Sequence, residues 1–229
     1  MFAYRDSRKG DVSQLRVDVA FTDATLDLQG LGADFLSTLA RVEGEAGVPF
    51  ARLTQVHGDE VVVATGPMGL DEVPAGDALV STTRGLGLMI RVADCVPVLL
   101  ADPEAGVVAG AHAGRRGLEL DIVTRTVESM RRLGAREIVG WIGPAICGRC
   151  YEVPEQMRDE VAAVVPESRA ETSWGTAALD IPAGVRAQLV RAGVEVEEIG
   201  RCTREDARLH SYRRDGEAAG RLAGLVWLS

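Results

Sequence analysis

The chain has 229 residues, 46 % of them hydrophobic, which suits one sizeable domain spanning 1–229 with an ample core. Its 25 Lys+Arg against 34 Asp+Glu give a formal charge of -9 with no basic stripe, arguing against nucleic acid as a partner. An N-terminus without a signal-peptide core, no run long enough to cross a bilayer and four cysteines in no disulfide framework point to a cytoplasmic protein with free thiols and no membrane partner.

Lys9 falls in a polar N-terminal turn, and LRVDVAF (15–21) reads as a strand. GADFLSTLARVEGEAG (32–47) carries apolar residues at helical spacing. Short strands then follow between Gly, Pro and Asp turns: RLTQVH, EVVVAT, DALVST, LGLMIRVA, VPVLLAD and GVVAGAHA. One amphipathic helix is predicted over 117–134, stopped by Gly134, and EIVGWIG (137–143) is again a strand. Helices at 154–164 and 182–192, the strand VEVEEIG and the terminal strand RLAGLVWLS complete the chain. Strands outnumber helices without strict alternation, which predicts a layered α/β domain with mixed sheets rather than a doubly wound parallel sheet.

Lys9 is the only lysine, so the chain has no Gly-x-x-x-x-Gly-Lys phosphate loop. Any phosphate must be held by arginine forks, backbone N–H groups or helix N-termini. Histidine is scarce as well: His57, His112 and His210 are all there is. His57 and His112 fall at predicted strand ends beside small residues, and Cys95 heads the run VPVLLAD. Each alone reads as an ordinary packed or hydrogen-bonded residue. Together, two imidazoles and a thiolate make a zinc shell with a fourth position open.

HAGRRGLELD adds a glycine turn and a helix start, an anion site in which Arg116 and Arg115 could fork a phosphate. Cys147 and Cys150 form one CxxC with no matching second pair, and read as structural or incidental. SYRRDG offers Tyr212, Arg213 and Arg214 as a substrate clamp or a solvated turn.

In order, TQVHG, DALVS, ADCVPVLLAD, AHAGRRG, GPAICGRCYEV, CT at 202–203 and SYRRDG resemble the YfiH-type laccase-domain family, from about residue 50 to the C-terminus. Its members are catalogued as polyphenol oxidases and as purine nucleoside phosphorylases. The resemblance implies a sandwich of mixed sheets flanked by helices, similar to the catalytic domain of cytotoxic deamidase toxins. It also implies zinc on His57, Cys95 and His112, and phosphorolysis of purine nucleosides with adenosine deamination. Four features depart from the family pattern: Arg115 replaces a tryptophan, SRKGDVS carries Asp11 for a glycine, the S-L-N segment is missing, and Ala219 replaces a threonine.

On that reading the catalytic residues are Cys95, Asp94 as proton shuttle and Arg116 on phosphate, with Arg8, Gln55 and Arg213 as substrate contacts. Asp94 can serve only if the strand bends, because neighbouring strand residues face opposite ways. The partners are a purine nucleoside and phosphate, and the assembly a monomer or homodimer. Three alternatives stand beside it: a copper-dependent polyphenol oxidase, since His₂Cys also suits Cu²⁺; an amidohydrolase with Cys95 as nucleophile and His112 as base; and a non-catalytic zinc-binding paralogue.

Overall fold

Seven residues from Val96 to Asp102 and seven from Val107 to Ala113 are buried without exception, and this burial on both faces explains why their sequences show no polar alternation. The computed structural model describes residues 1–30, 33–68 and 73–229. Its strands in chain order are β1 (Phe2–Lys9), β2 (Arg16–Thr22), β3 (Phe50–Ala51), β4 (Val61–Val63), β5 (Ala78–Ser81), β6 (Gly87–Val92) and β7 (Val96–Asp102). They continue with β8 (Val107–Ala113), β9 (Val139–Ile142), β10 (Arg169–Glu171), β11 (Ala177–Leu179), β12 (Glu195–Glu198) and β13 (Leu222–Leu228). The helices are α1 (Ala33–Ala46), α2 (Arg115–Glu119), α3 (Ile122–Arg132), α4 (Glu155–Val164), α5 (Ile181–Arg191) and α6 (Tyr212–Asp215).

One sheet has the order β1-β2-β13-β6-β3 and the other β12-β9-β7-β8-β5-β4, with β10 and β11 forming a separate hairpin. Both large sheets are mixed, since β3–β6, β4–β5 and β9–β12 pair in parallel and the remaining neighbours antiparallel. Between them lie Val19, Phe21, Leu88, Leu99, Val108 and Trp141. Truncating Leu99 to alanine in this layer should cost about 2–5 kcal/mol. The alternate residues Val98 and Leu100 face outward onto Val123 and Val127 of α3 and Leu189 of α5. On the opposite side Phe35, Leu39 and Val42 of α1, at helical spacing, cover Met89, Leu225 and Trp227. The result is the α/β sandwich of mixed sheets flanked by helices that the family resemblance implies.

Several elements differ from the expected ones. The opening stretch is a strand, β1, paired with β2 from Phe2↔Thr22 to Lys9↔Arg16. RLTQVH is mostly irregular: pairing stops after Ala51, and Thr54 makes only an isolated bridge to Ala75. The helix expected over 117–134 is two helices, α2 and α3, because Asp121 sits at φ 58 in the left-handed region, which no helix can carry through. Gly32, the expected first residue of α1, lies outside the described residues.

In β7 and β8 the register pairs Val96 with Ala113 and Pro97 with His112. That register brings the head of one strand beside the tail of the other. β6 belongs to the first sheet and β7 to the second, so residues 93–95 carry the chain across the end of the sandwich.

Candidate metal centre and cleft

Cys95 lies in this crossing, not in a strand. Asp94 before it takes φ 80, a left-handed conformation that short polar side chains tolerate best. The bend removes the strand alternation that would have sent Asp94 and Cys95 to opposite faces. His112 arrives from β8, and His57 from the loop between β3 and β4, where it too is left-handed at φ 59. Two left-handed non-glycine residues at one site mark backbone held in place by its surroundings.

The three ligand atoms lie within 4.8 Å of one another. Cys95 Sγ is 3.8 Å from His57 Nε2, and the imidazoles meet edge to face at 4.7 Å between centroids. Gly114 makes the room: a Cβ there would stand 2.9 Å from His57 Cδ2 and 3.1 Å from Cys95 Sγ.

Asp77 organises the group, and sequence reasoning missed it. Its fully buried carboxylate accepts the backbone N–H groups of Val56 at 3.2 Å, His57 at 3.0 Å and Gly58 at 2.6 Å. It also accepts Nδ1–H of His112 at 2.8 Å, which turns His112 Nε2 to the cleft. Burial opposes the Asp77 charge, but His112 and these amides outweigh it and hold its pKa below the ordinary value. Burial likewise opposes ionisation of Cys95, yet His112 and His57 bring its thiol down to about 6. His112, against its own burial, is raised to about 9 by Asp77 and Cys95. A carboxylate behind a ligating imidazole fixes its tautomer in the manner of zinc sites. The donor set, two nitrogens and a readily formed thiolate at one point, fits a divalent ion.

A cleft of about 640 Å³ opens over the three ligands. Of the remaining sequence candidates, Asp94, Gln55 and Arg213 line it, and Arg8 and Arg116 do not. Both Asp94 oxygens are engaged, Oδ1 by Thr203 Oγ1 and Oδ2 by the Arg213 backbone N–H, each at 2.6 Å. Gln55 has both ends of its amide on the main chain of Arg91. These two side chains shape the wall. Arg8 instead pairs with Glu197 at 2.7 Å beside Trp141, because β1 runs along the edge of its sheet away from the cleft. Arg116 is exposed on α2, and Arg115 pairs with Glu119 on the same short helix. The chain that reaches the cleft from the N-terminal part is Gln29 and Gly30, after β2, and not SRKGDVS.

The sequence model of the family described as multi-copper polyphenol oxidoreductase laccase matches residues 7–229. The chain belongs to this family. Within it, a purine nucleoside phosphorylase of Streptomyces coelicolor is 57% identical over 179 residues, covering 77% of this chain and 74% of its own length. One from Corynebacterium glutamicum is 46% identical over 194 residues, covering 83% and 78% respectively. The crystal structure of YfiH from Bacillus licheniformis superposes with a TM-score of 0.83 over 96% of this chain and 98% of that one, at 24% identity, and so shares the fold. Membership joins the His57, Cys95 and His112 cluster to a family whose description is of a metal oxidoreductase and whose relatives here are called phosphorylases. Among the described residues no helix is long and apolar enough to cross a membrane.

Proposed function

We propose that the chain is a zinc-dependent purine nucleoside phosphorylase that also deaminates adenosine. The observation that carries this reading is the convergence of His57, Cys95 and His112 on the floor of a nucleoside-sized cleft, in a chain closely similar to proteins of that name. Zinc bound there supplies Lewis acidity at the cleft floor.

The chain's own groups bind and orient. Tyr151 and the half-exposed Tyr212 present aromatic surface for a purine, and Arg213 lies 4.9 Å over the Tyr151 ring. Burial, with the neighbouring Cys95, raises the Tyr151 pKa, so its hydroxyl keeps its proton and serves as a donor. Arg91 and Arg221 form an electropositive wall: burial and the charges of Arg52 and Arg221 lower the Arg91 pKa, and among the described residues its terminal nitrogens donate to the Leu28, Gly30 and Leu53 carbonyls while Nε has no hydrogen-bond partner. A phosphate dianion matches that wall better than it matches Arg116 or Arg8 outside the cleft. Asp94 acts by position, tying the Cys95 bend to the Arg213 segment.

Copper is the alternative metal for the same donors. A coupled copper cluster needs further imidazoles, and His210 is committed elsewhere, its Nε2–H donating to the Leu26 carbonyl at 2.9 Å. A second reading rests on Asp77, His112 and Cys95, which together have the order of a hydrolase triad: carboxylate, imidazole, thiolate. In that reading Cys95 attacks an amide and chelators leave activity intact.

The test is chromatography of adenosine and inosine incubated with zinc-loaded protein, with and without phosphate. Free base formed only with phosphate establishes phosphorolysis, and inosine formed from adenosine establishes deamination. Nucleosides unchanged under both conditions overturn the proposal. Hydrolysis of an amide substrate that survives chelation but not alkylation of Cys95 selects the triad.

A further inference from the structure

Three of the four cysteines lie away from this cleft, and they are together. Cys147, Cys150, Cys202 and Glu205 each offer a ligand atom, and these atoms lie within 4.8 Å of one another. The CxxC of residues 147–150 therefore has a matching second half, a Cys-x-x-Glu at 202–205, brought in from far along the chain. We propose that Cys147, Cys150, Cys202 and Glu205 form a second metal site, a closed four-donor site for structural zinc.

The backbone supports it on both sides. The N–H groups of Cys150 and Tyr151 both donate to the Cys147 carbonyl, at 2.9 and 3.0 Å, which folds the CxxC into a tight knuckle with its thiols on one side. On the other side the Asp206 N–H donates to the Cys202 carbonyl at 3.0 Å and closes the Cys-x-x-Glu turn in the same way. The halves are held in register by the bridge between Ala145 and Cys202, with Ala145 N–H on the Arg201 carbonyl and Thr203 N–H on the Ala145 carbonyl. The Cys147 N–H points at Cys202 Sγ at 3.4 Å, and Cys150 Sγ–H at Glu205 Oε1 at 3.5 Å. The other Glu205 oxygen is 3.6 Å from Arg149, which steadies the carboxylate.

Zinc–sulfur bonds of about 2.3 Å in a tetrahedron put donors about 3.8 Å apart, so these side chains need only a small closure to bind. Three soft sulfurs and one carboxylate select zinc over hard cations such as magnesium or calcium. Cys150 is buried, and a cavity of about 270 Å³ beside Cys147 and Cys202 gives an ion a way in. The site would act as a strut behind the cleft. The segments it joins hold Asp94, through Ile146 N–H on its carbonyl and Thr203 Oγ1 on its carboxylate, and carry Tyr151 next to Cys150.

The experiment is zinc titration of the reduced, metal-free full-length chain against a chromophoric chelator, with cobalt as spectroscopic probe. Wild-type protein should take up two zinc ions per chain, and H57A/H112A one. Cobalt in H57A/H112A should show the strong thiolate charge-transfer and d–d bands of a tetrahedral sulfur-rich site, and lose them in C202S. E205Q keeps all three thiols and the fold, and should weaken zinc by at least the roughly tenfold that loss of even an outer partner costs. No zinc in H57A/H112A, or a disulfide among these cysteines by mass, would overturn the proposal, whereas one zinc in both proteins would leave it standing and count against the His57 site.

Discussion

Asp77 Oδ1 accepts Nδ1–H of His112 at 2.8 Å, and this contact decides which nitrogen of the imidazole faces Cys95. The same carboxylate gathers the N–H groups of residues 56 to 58, so one side chain positions two of the three ligands. Asp77→Asn keeps the shape but sets an NH₂ against donors. We expect zinc affinity at this site to fall about 10–100-fold, read by chelator competition, and the protein to be destabilised by about 3 kcal/mol or more. The pH dependence follows from the lowered pKa. The Asp77 contribution is complete above its unfolded value of 3.8 and is lost as pH falls through the still lower native value, so acid unfolding should begin earlier without it.

The Cys95 thiol of metal-free protein should ionise near pH 6. Its thiolate is present above that pH and disappears below it, while His112 stays protonated up to about 9. Iodoacetamide labelling of Cys95, followed by peptide mass mapping, should therefore be half-maximal near pH 6, where an ordinary thiol reaches that point at about 8.5. Zinc should protect it. A midpoint above 8 would show that the imidazoles do not act on the sulfur.

Gly114→Ala places a methyl against His57 and Cys95 at distances real Cβ atoms rarely show. One zinc equivalent should be lost, with a stability cost of about 1–3 kcal/mol from overpacking. Elemental analysis and thermal unfolding separate the two effects. Undiminished zinc content would mean that the ligands can spread without loss of grip.

Arg8 and Arg213 make a contrasting pair. Arg8→Ala removes an exposed ion pair with Glu197, worth at most about 1 kcal/mol, and should leave nucleoside turnover within a factor of about two. Arg213→Ala takes a guanidinium from the cleft and should lower kcat/KM by about tenfold or more, a loss of roughly 1.4 kcal/mol in transition-state binding. Equal effects from the two would place substrate elsewhere.

What the sequence makes legible follows from how each residue is surrounded. Val96–Asp102 reads as a strand because both its faces are buried and seven residues in a row must satisfy that. His57, Cys95 and His112 stand out because histidine and cysteine are rare in this chain. Asp77 does not, because an aspartate ahead of ALVS looks like any turn residue, and only the folded loop aims three amides at it. β1 is hidden for the opposite reason: an edge strand with one open side keeps Arg5, Asp6, Ser7, Arg8 and Lys9, and so resembles a polar turn. The motifs around Arg8 and Arg116 suggest ligand contacts, but motif adjacency does not say which way β1 or α2 faces. Cys202 and Glu205 lie more than fifty residues from the CxxC, a separation no local pattern bridges.

The pairing of Pro97 with His112 also sets which changes of length the chain can absorb. Asp102 pairs with Val107, so residues 103–106 form the hairpin's tip and only they separate the two strands. A residue inserted at the tip lengthens the loop and leaves every pair above it unchanged. A residue inserted between Cys95 and Asp102 must shift the ladder by one and send alternate side chains to the opposite face. The span from Cys95 to His112 is thus elastic at its midpoint and fixed along both arms.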